Sequence, residues 1–188
     1  MTRIIAGFAG SLALTVPGAG TRPTSDRVRE AIFSALESRD AIRDARVVDL
    51  YAGSGALGLE AASRGAASVT FVERNPAAAK ACRDNAARVA RNAPAGRALT
   101  LDIIAKPVQT VLDAGGGPWD LALLDPPYDF GDDELARALG ALGPSLSPAA
   151  TVLVERSSKA PEPAWPAGMT LDRRKVYGDT TLWWASAG

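Results

Sequence analysis

The chain has 188 residues, 47% of them hydrophobic, and its 21 Lys plus Arg are balanced by 21 Asp plus Glu. That length suits one well-packed main domain, and the balanced charge means that any nucleic-acid contact must come from a local patch and not from a global basic field. Histidine is absent and Cys82 is the single cysteine, which removes Ser-His-Asp triads, histidine metal sites, zinc clusters and disulfides together, so a reduced, cytoplasmic protein without a metal is expected.

At the N-terminus, Arg3 followed by "IIAGFAGSLALTV" has the basic start and apolar run of a weak signal peptide. Gly7, Gly10 and Ser11 break the run and Pro17-Gly18 end it, a pattern that also suits two short strands around a turn. We take residues 1–22 as a β-hairpin extension and 23–188 as the main domain. No other segment approaches the ~18 apolar residues of a membrane helix, and no membrane partner is expected.

"RPTSDRVREAIFSALES" offers Thr24 or Ser25 as a cap and an apolar stripe of Val28, Ile32, Phe33 and Leu36, which predicts a helix starting near Ser25. From Val47 the pattern becomes regular. "RVVDLYA" is an apolar run, "ALGLEAASRG" a helix closed by Arg64 and Gly65, and "SVTFVE" a second strand. Asn75-Pro76 then caps a helix to about Arg91. "LTLDI" (99–103) follows as a strand, "PVQTVLD" as a short helix, "DLALLD" (120–125) as a fourth strand, then a helix over Asp133–Leu142 and a strand at 151–156. Continuous apolar strands between helices indicate a mostly parallel sheet with right-handed crossovers. "MTLDRRKVYGDTTLWWA" reads as two strands around Gly178-Asp179, so the α/β sheet should end in an antiparallel hairpin.

Inside "DLYAGSGALGLEA", Gly53, Gly55 and Gly58 form G-x-G-x-x-G, the spacing of a dinucleotide-binding turn. Asp49 precedes the turn at the strand end, where a carboxylate repels a pyrophosphate and attracts an ammonium group. A cationic nucleoside without phosphate, S-adenosylmethionine, fits that arrangement better than NAD. Glu73, 20 residues after Gly53, ends the second strand and is placed to take ribose hydroxyls. Taken singly, the glycines need only make a turn and Glu73 need only end a strand.

The second anchor is "LLDPPYDF", where Asp125 ends the fourth strand before Pro126, Pro127 and Tyr128. Two prolines fix φ and lack N–H donors, so they hold carbonyls and a neighbouring side chain rigidly at the sheet edge. An exocyclic base amine is a poor nucleophile because its lone pair is conjugated. Hydrogen bonds from its NH2 to the Asp125 carboxylate and the Pro126 carbonyl would localise that pair, while Tyr128 stacks on the extruded base. The plain alternative is a rigid Pro-Pro turn with a surface Tyr.

"DLYAGSGALGLEA", "VERN" and "DPPY" resemble the RsmD family, bacterial class I methyltransferases that modify a guanine N2 in 16S ribosomal RNA. "RPTSDRVREAIFSAL" and "KVYGDT" extend the resemblance over nearly the whole chain. It implies a class I, Rossmann-like, mostly parallel seven-stranded sheet and S-adenosylmethionine as cofactor. The donor would lie across Asp49, Tyr51, Ala52, Gly53, Ser54, Gly55 and Gly58, with Glu73, Arg74, Asn75, Val108 and Asp125 around it. The catalytic group would be Asp125, Pro126, Pro127 and Tyr128. Two positions depart from the family pattern: Ala9-Gly10-Ser11 replaces a basic hairpin stretch, and Pro107-Val108 stands where an Asp or Asn often meets the adenine, leaving backbone or apolar contact for that ring.

Arg22, Arg27, Arg29 and the run Arg173, Arg174 and Lys175 are the candidate phosphate contacts, each equally readable as a solvated surface cation. With neutral net charge and no arginine at Ala9-Gly10-Ser11, the expected partner is ribosomal RNA presented in a small ribosomal subunit or its assembly intermediate. D-P-P-Y chemistry also serves adenine N6 and cytosine N4, so a DNA amino-methyltransferase remains an alternative, as does a non-catalytic RNA-binding module. Cys82 lies in the helix after Asn75-Pro76, away from D-P-P-Y in chain order, and is read as a buried small residue.

Overall fold

The computed structural model describes residues 2–17 and 25–188. Two short strands, β1 (Thr2–Arg3) and β2 (Ala13–Leu14), pair antiparallel as the expected hairpin. Helix α1 (Asp26–Glu37) follows, capped by Ser25, whose hydroxyl accepts from the Val28 N–H. The alternating segment comprises β3 (Arg46–Leu50), α2 (Ala56–Arg64), β4 (Ser68–Val72), α3 (Pro76–Arg91), β5 (Thr100–Ile104), α4 (Val108–Asp113), β6 (Trp119–Leu124) and α5 (Asp132–Leu142). The chain closes with β7 (Leu146–Ser157), β8 (Met169–Tyr177) and β9 (Thr180–Ala187).

Seven strands form one sheet in the order β5-β4-β3-β6-β7-β9-β8, parallel through β7 and antiparallel at both contacts of β9. Successive residues along each strand feed opposite cores. Val47, Leu121, Leu123, Leu153 and Trp184 pack under α1, α2 and α3, while Val48, Ala122, Leu124, Val152 and Trp183 pack under α4 and α5. The two consecutive tryptophans therefore anchor two different layers. β7 is longer than the expected 151–156, because Leu146 pairs with Trp119 across an irregularity that the "SPAA" stretch, with its proline and no strand pattern, hides in sequence. β6 stops at Leu124, leaving Asp125 just outside the sheet.

The N-terminal hairpin is welded to the main sheet. Ile4, Ala9 and Leu14 are buried in the same core as α1 to α3. Glu60 of α2 is inaccessible to solvent, accepts from the Ile5 and Ala6 N–H groups at 2.6 and 3.0 Å, and pairs with Arg64 at 2.7 Å. Among the described residues no helix is long and apolar enough to cross a membrane.

A buried carboxylate with three donors cannot be removed without leaving those donors unpaired. Glu60→Ala should cost about 3–5 kcal/mol in denaturant unfolding, and the Ile5 and Ala6 amides should lose protection from hydrogen exchange. Unchanged stability and protection would show that the hairpin is held by apolar contact alone.

Candidate active site

Strand order reverses at β3, whose neighbours β4 and β6 carry chain on opposite sides of it, and the crevice beyond the C-terminal ends of these strands is where open parallel sheets bind ligands. The glycine turn, Glu73 and Asp125 all emerge at that edge. The turn is tied down at four places. The Ala52 N–H donates to the Val72 carbonyl at 3.0 Å, and the Gly53 N–H to Glu73 Oε2 at 2.8 Å. The Gly58 N–H donates to Asp49 Oδ2 at 2.8 Å, and Asn85 Nδ2 donates to the Ser54 carbonyl at 3.0 Å.

Gly53 and Gly55 are glycines for different reasons. Both have positive φ, +56° and +82°, which side chains tolerate poorly. A Cβ on Gly55 would meet Cys82 Sγ at 2.7 Å, whereas one on Gly53 would meet nothing within 4 Å and would stand in the open crevice. Gly58 lets α2 press against its strands, since a Cβ there would lie 2.4 Å from the Phe71 ring and 3.0 Å from Asp49 Oδ2.

Asp49 differs from the sequence expectation. Only 1% exposed, it spends one oxygen on the Gly58 N–H and so braces the turn from beneath instead of presenting an open carboxylate to an ammonium group. Burial pushes its pKa up to about 7; the Gly58 N–H opposes that rise, and the nearby charges of Asp125 and Glu73 add to it. Glu73 reaches in two directions, accepting from Gly53 and, through Oε1, from the Asn75 N–H at 2.7 Å. Asn75 in turn caps α3 by accepting from the Ala77 and Ala78 N–H groups. Arg74 is exposed beside it. Val108 is 7% exposed and packs in the α4–α5 core, so its side chain serves the core and offers little to a ligand.

The D-P-P-Y segment sits directly after β6. Asp125 is half-buried, Pro126 buried, Pro127 exposed, and Tyr128 stands 80% exposed, with its hydroxyl 3.4 Å from Ser157 Oγ. Tyr51, in the left-handed region at φ 66°, packs edge-on against Phe130 with ring centroids 5.0 Å apart. That contact joins the glycine turn to the D-P-P-Y loop. Arg156, 8% exposed at the end of β7, donates to the Phe130 carbonyl at 3.0 Å and pairs with Asp132 at 2.7 Å. Sequence reasoning missed Asn85, Phe130 and Arg156. A buried Asn within an amphipathic helix and an Arg closing an apolar strand were the available signals, and only the fold shows what they hold.

The structure sorts the candidate phosphate contacts. Arg22 lies outside the described residues. Arg29 is a correction: it is 1% exposed, and its Nη2 donates to the Arg3 carbonyl and to Asp26, so α1 amphipathicity has turned it inward against the hairpin. Arg27 is exposed. The run at 173–175 is no single patch, since strand alternation sends Arg173 and Lys175 to the α1 side and Arg174 to the other, over the Trp183 ring. Cys82 is fully buried, closer to the turn than chain order suggested, and burial pushes its thiol pKa up, keeping it protonated and unreactive.

The raised Asp49 pKa sets a pH dependence. The native state holds a proton there more tightly than the unfolded chain, whose value is near 3.8, so stability falls as pH rises from about 4 to about 7 and levels off above. Asp49→Asn keeps an acceptor for Gly58 and removes the charge. Relative to wild type the variant should gain roughly 3 kcal/mol of unfolding free energy between pH 4 and 7.5. Parallel pH profiles for the two proteins would show that Asp49 does not carry the buried charge.

The family described as conserved hypothetical protein 95 matches residues 2–186 of the chain. Ribosomal RNA small subunit methyltransferase D of Escherichia coli (strain K12) is 37% identical over 177 residues, covering 94% of this chain and 85% of that protein. The protein of the same name from Haemophilus influenzae is 33% identical over 180 residues, covering 94% and 89%. The solved structure of yhhF from Escherichia coli superposes with a TM-score of 0.84 at 32% identity, covering 99% of this chain and 97% of that one. The chain belongs to this family, the RsmD family whose motifs it carries, and has its class I methyltransferase fold.

Proposed function

We propose that the chain transfers the methyl group of S-adenosylmethionine to the exocyclic N2 of a guanine in 16S ribosomal RNA. The observation that carries this reading is the placement of Asp125-Pro126-Pro127-Tyr128 at the end of β6, beside the glycine turn and with the Tyr128 ring exposed. The names of the Escherichia coli and Haemophilus influenzae relatives, small-subunit ribosomal RNA methyltransferases, support the acceptor class. A cytoplasmic setting follows from such an acceptor.

The donor set fits this cofactor and disfavours NAD. In a dinucleotide site the turn amides and the helix N-terminus face a pyrophosphate. Here the Gly53 and Gly58 N–H groups are already taken by Glu73 and Asp49 carboxylates, and Asp125 adds a third acid at the same edge. A phosphate would meet acceptors where it needs donors. Glu73, its second lone pairs still available, is placed for the ribose diol, and the space above Gly53 admits the nucleoside.

S-adenosylmethionine, when bound, supplies an electrophilic methyl on a sulfonium that leaves as a neutral thioether. The chain supplies orientation. The Asp125 carboxylate and the Pro126 carbonyl accept the two N–H bonds of the base amine and turn its lone pair toward the methyl carbon. Asp125 would also take the surplus proton of the methylated amine, or pass it to water. Tyr128 holds the base plane by stacking, and Arg156 and the Tyr51–Phe130 contact keep the loop against the turn.

Purified protein should be offered labelled methyl donor with small ribosomal subunits, naked 16S RNA and duplex DNA, and the products digested to nucleosides. Label in N2-methylguanosine, strongest with the subunit or its assembly intermediate, is the expected outcome. Asp125→Ala should lower turnover on the order of 10²–10³ with much less change in donor affinity, and Cys82→Ala should retain turnover. Label in duplex DNA at adenine N6 or cytosine N4 would replace this reading with a DNA amino-methyltransferase, and 5-methylcytosine lost with Cys82 would overturn the amine-directed mechanism.

A further inference from the structure

We infer that the groove between α1 and the edge strand β8 is the track for the RNA backbone flanking the target base, and that Arg173, Lys175 and Arg27 are its phosphate contacts while Arg174 is not one. The inference rests on the RNA-acceptor reading and adds where the strand runs. Pairing of Arg173 with Trp184, Lys175 with Leu182 and Tyr177 with Thr180 sets these three side chains on the α1 face of the sheet, because cross-strand partners share a face. Arg174, paired with Trp183, lies on the α5 face.

Opposite them α1 and its C-cap present Ala31, Ser34, Ala35 and Ser38, side chains too small to fill the space, and a groove of about 270 Å³ remains. Arg27 stands one helical turn before Ala31 on the same row, so the row begins with a cation. Among the described residues, Arg27, Arg173 and Lys175 make no ion pair. The Lys175 ammonium rests 4.8 Å from the Tyr177 ring centroid, a contact that preserves its charge. At the far end the acid Asp172 is matched by Arg39 at 3.7 Å and by the Ser186 hydroxyl at 3.0 Å. The charged side chains that line the groove itself are thus both cations, Arg173 and Lys175, while the acid Glu155 shares their face on β7, across Leu182.

The groove also leads to the reaction edge. Tyr177 ends β8 at a turn whose Asp179 carbonyl accepts from the Ser158 N–H at 2.8 Å, and Thr180 pairs with Ser157. Ser157 is the residue 3.4 Å from the Tyr128 hydroxyl, and it shares the α1 face with Tyr177. A strand whose base stacks on Tyr128 therefore finds Lys175 and then Arg173 along one face. Those two cations, alternate residues of a strand and so about 7 Å apart, can each take a separate phosphate.

The test compares Arg173→Gln/Lys175→Gln with Arg174→Gln in fluorescence titrations of a naked 16S RNA fragment over a range of salt. The double variant should bind at least tenfold more weakly at low salt, and its log-affinity against log-salt slope should be shallower by about 1.5, two phosphates at ~0.7–0.9 each. Its melting temperature and its affinity for S-adenosylmethionine should match wild type. Arg174→Gln should keep the wild-type slope. An unchanged slope in the double variant, or an equal fall in Arg174→Gln, overturns the track. Loss confined to assembled subunits, with naked RNA unaffected, would assign the groove to a protein surface and overturn it equally. Wild-type protein that shows the expected slopes and yet methylates no guanine defeats the proposed reaction and leaves the track standing.

Discussion

The site depends on one constraint: the backbone amides of a glycine turn are held by carboxylates that emerge from the neighbouring strand ends. Asp49 takes the Gly58 N–H from below and Glu73 takes the Gly53 N–H from the side. A helix N-terminus with its amides pointing outward attracts anions. Here acids occupy two of the amides, those of Gly53 and Gly58, which leaves fewer donors for an anion. The remaining ties, from Asn85 to Ser54 and from Tyr51 to Phe130, hold the turn in register with α3 on one side and the D-P-P-Y loop on the other.

The same arrangement couples the extension to the chemistry. Asn85 exchanges hydrogen bonds with the Thr15 backbone while donating to Ser54, so one fully buried amide joins the N-terminal hairpin segment to the glycine turn. Glu60 and Ser63 fix the other side of that segment on α2. The hairpin carries no arginine at Ala9-Gly10-Ser11, and its contribution in this structure is support of α2 and α3 beneath the turn.

Most of the fold was legible because periodicity and caps agreed. Asn75-Pro76 placed the start of α3, Ser25 the start of α1, and Gly65 the end of α2, each through local chemistry that tertiary structure did not override. The start of β7 was hidden because "SPAA" has no strand pattern and the strand begins before it, where Leu146 pairs with Trp119. In the site, the glycines, Glu73 and D-P-P-Y were legible as residue types at strand ends. The direction of a side chain was less so. Arg29 looked like a surface cation yet faces the hairpin, and "RRK" looked like one patch yet straddles the sheet, because helix phase and strand alternation decide facing. Asp49 was recognised, but its partner Gly58 lies within the following helix and sequence alone does not show the bond.

The claim that the acids convert a dinucleotide turn into a site for a cationic nucleoside is tested most directly by calorimetry with S-adenosylmethionine and NAD on wild type and Glu73→Ala. S-adenosylmethionine should bind wild type at least a hundredfold more tightly than NAD, about 2.7 kcal/mol, and Glu73→Ala should weaken it while the domain stays folded. NAD binding as tight as, or tighter than, S-adenosylmethionine on the wild-type protein would contradict the account.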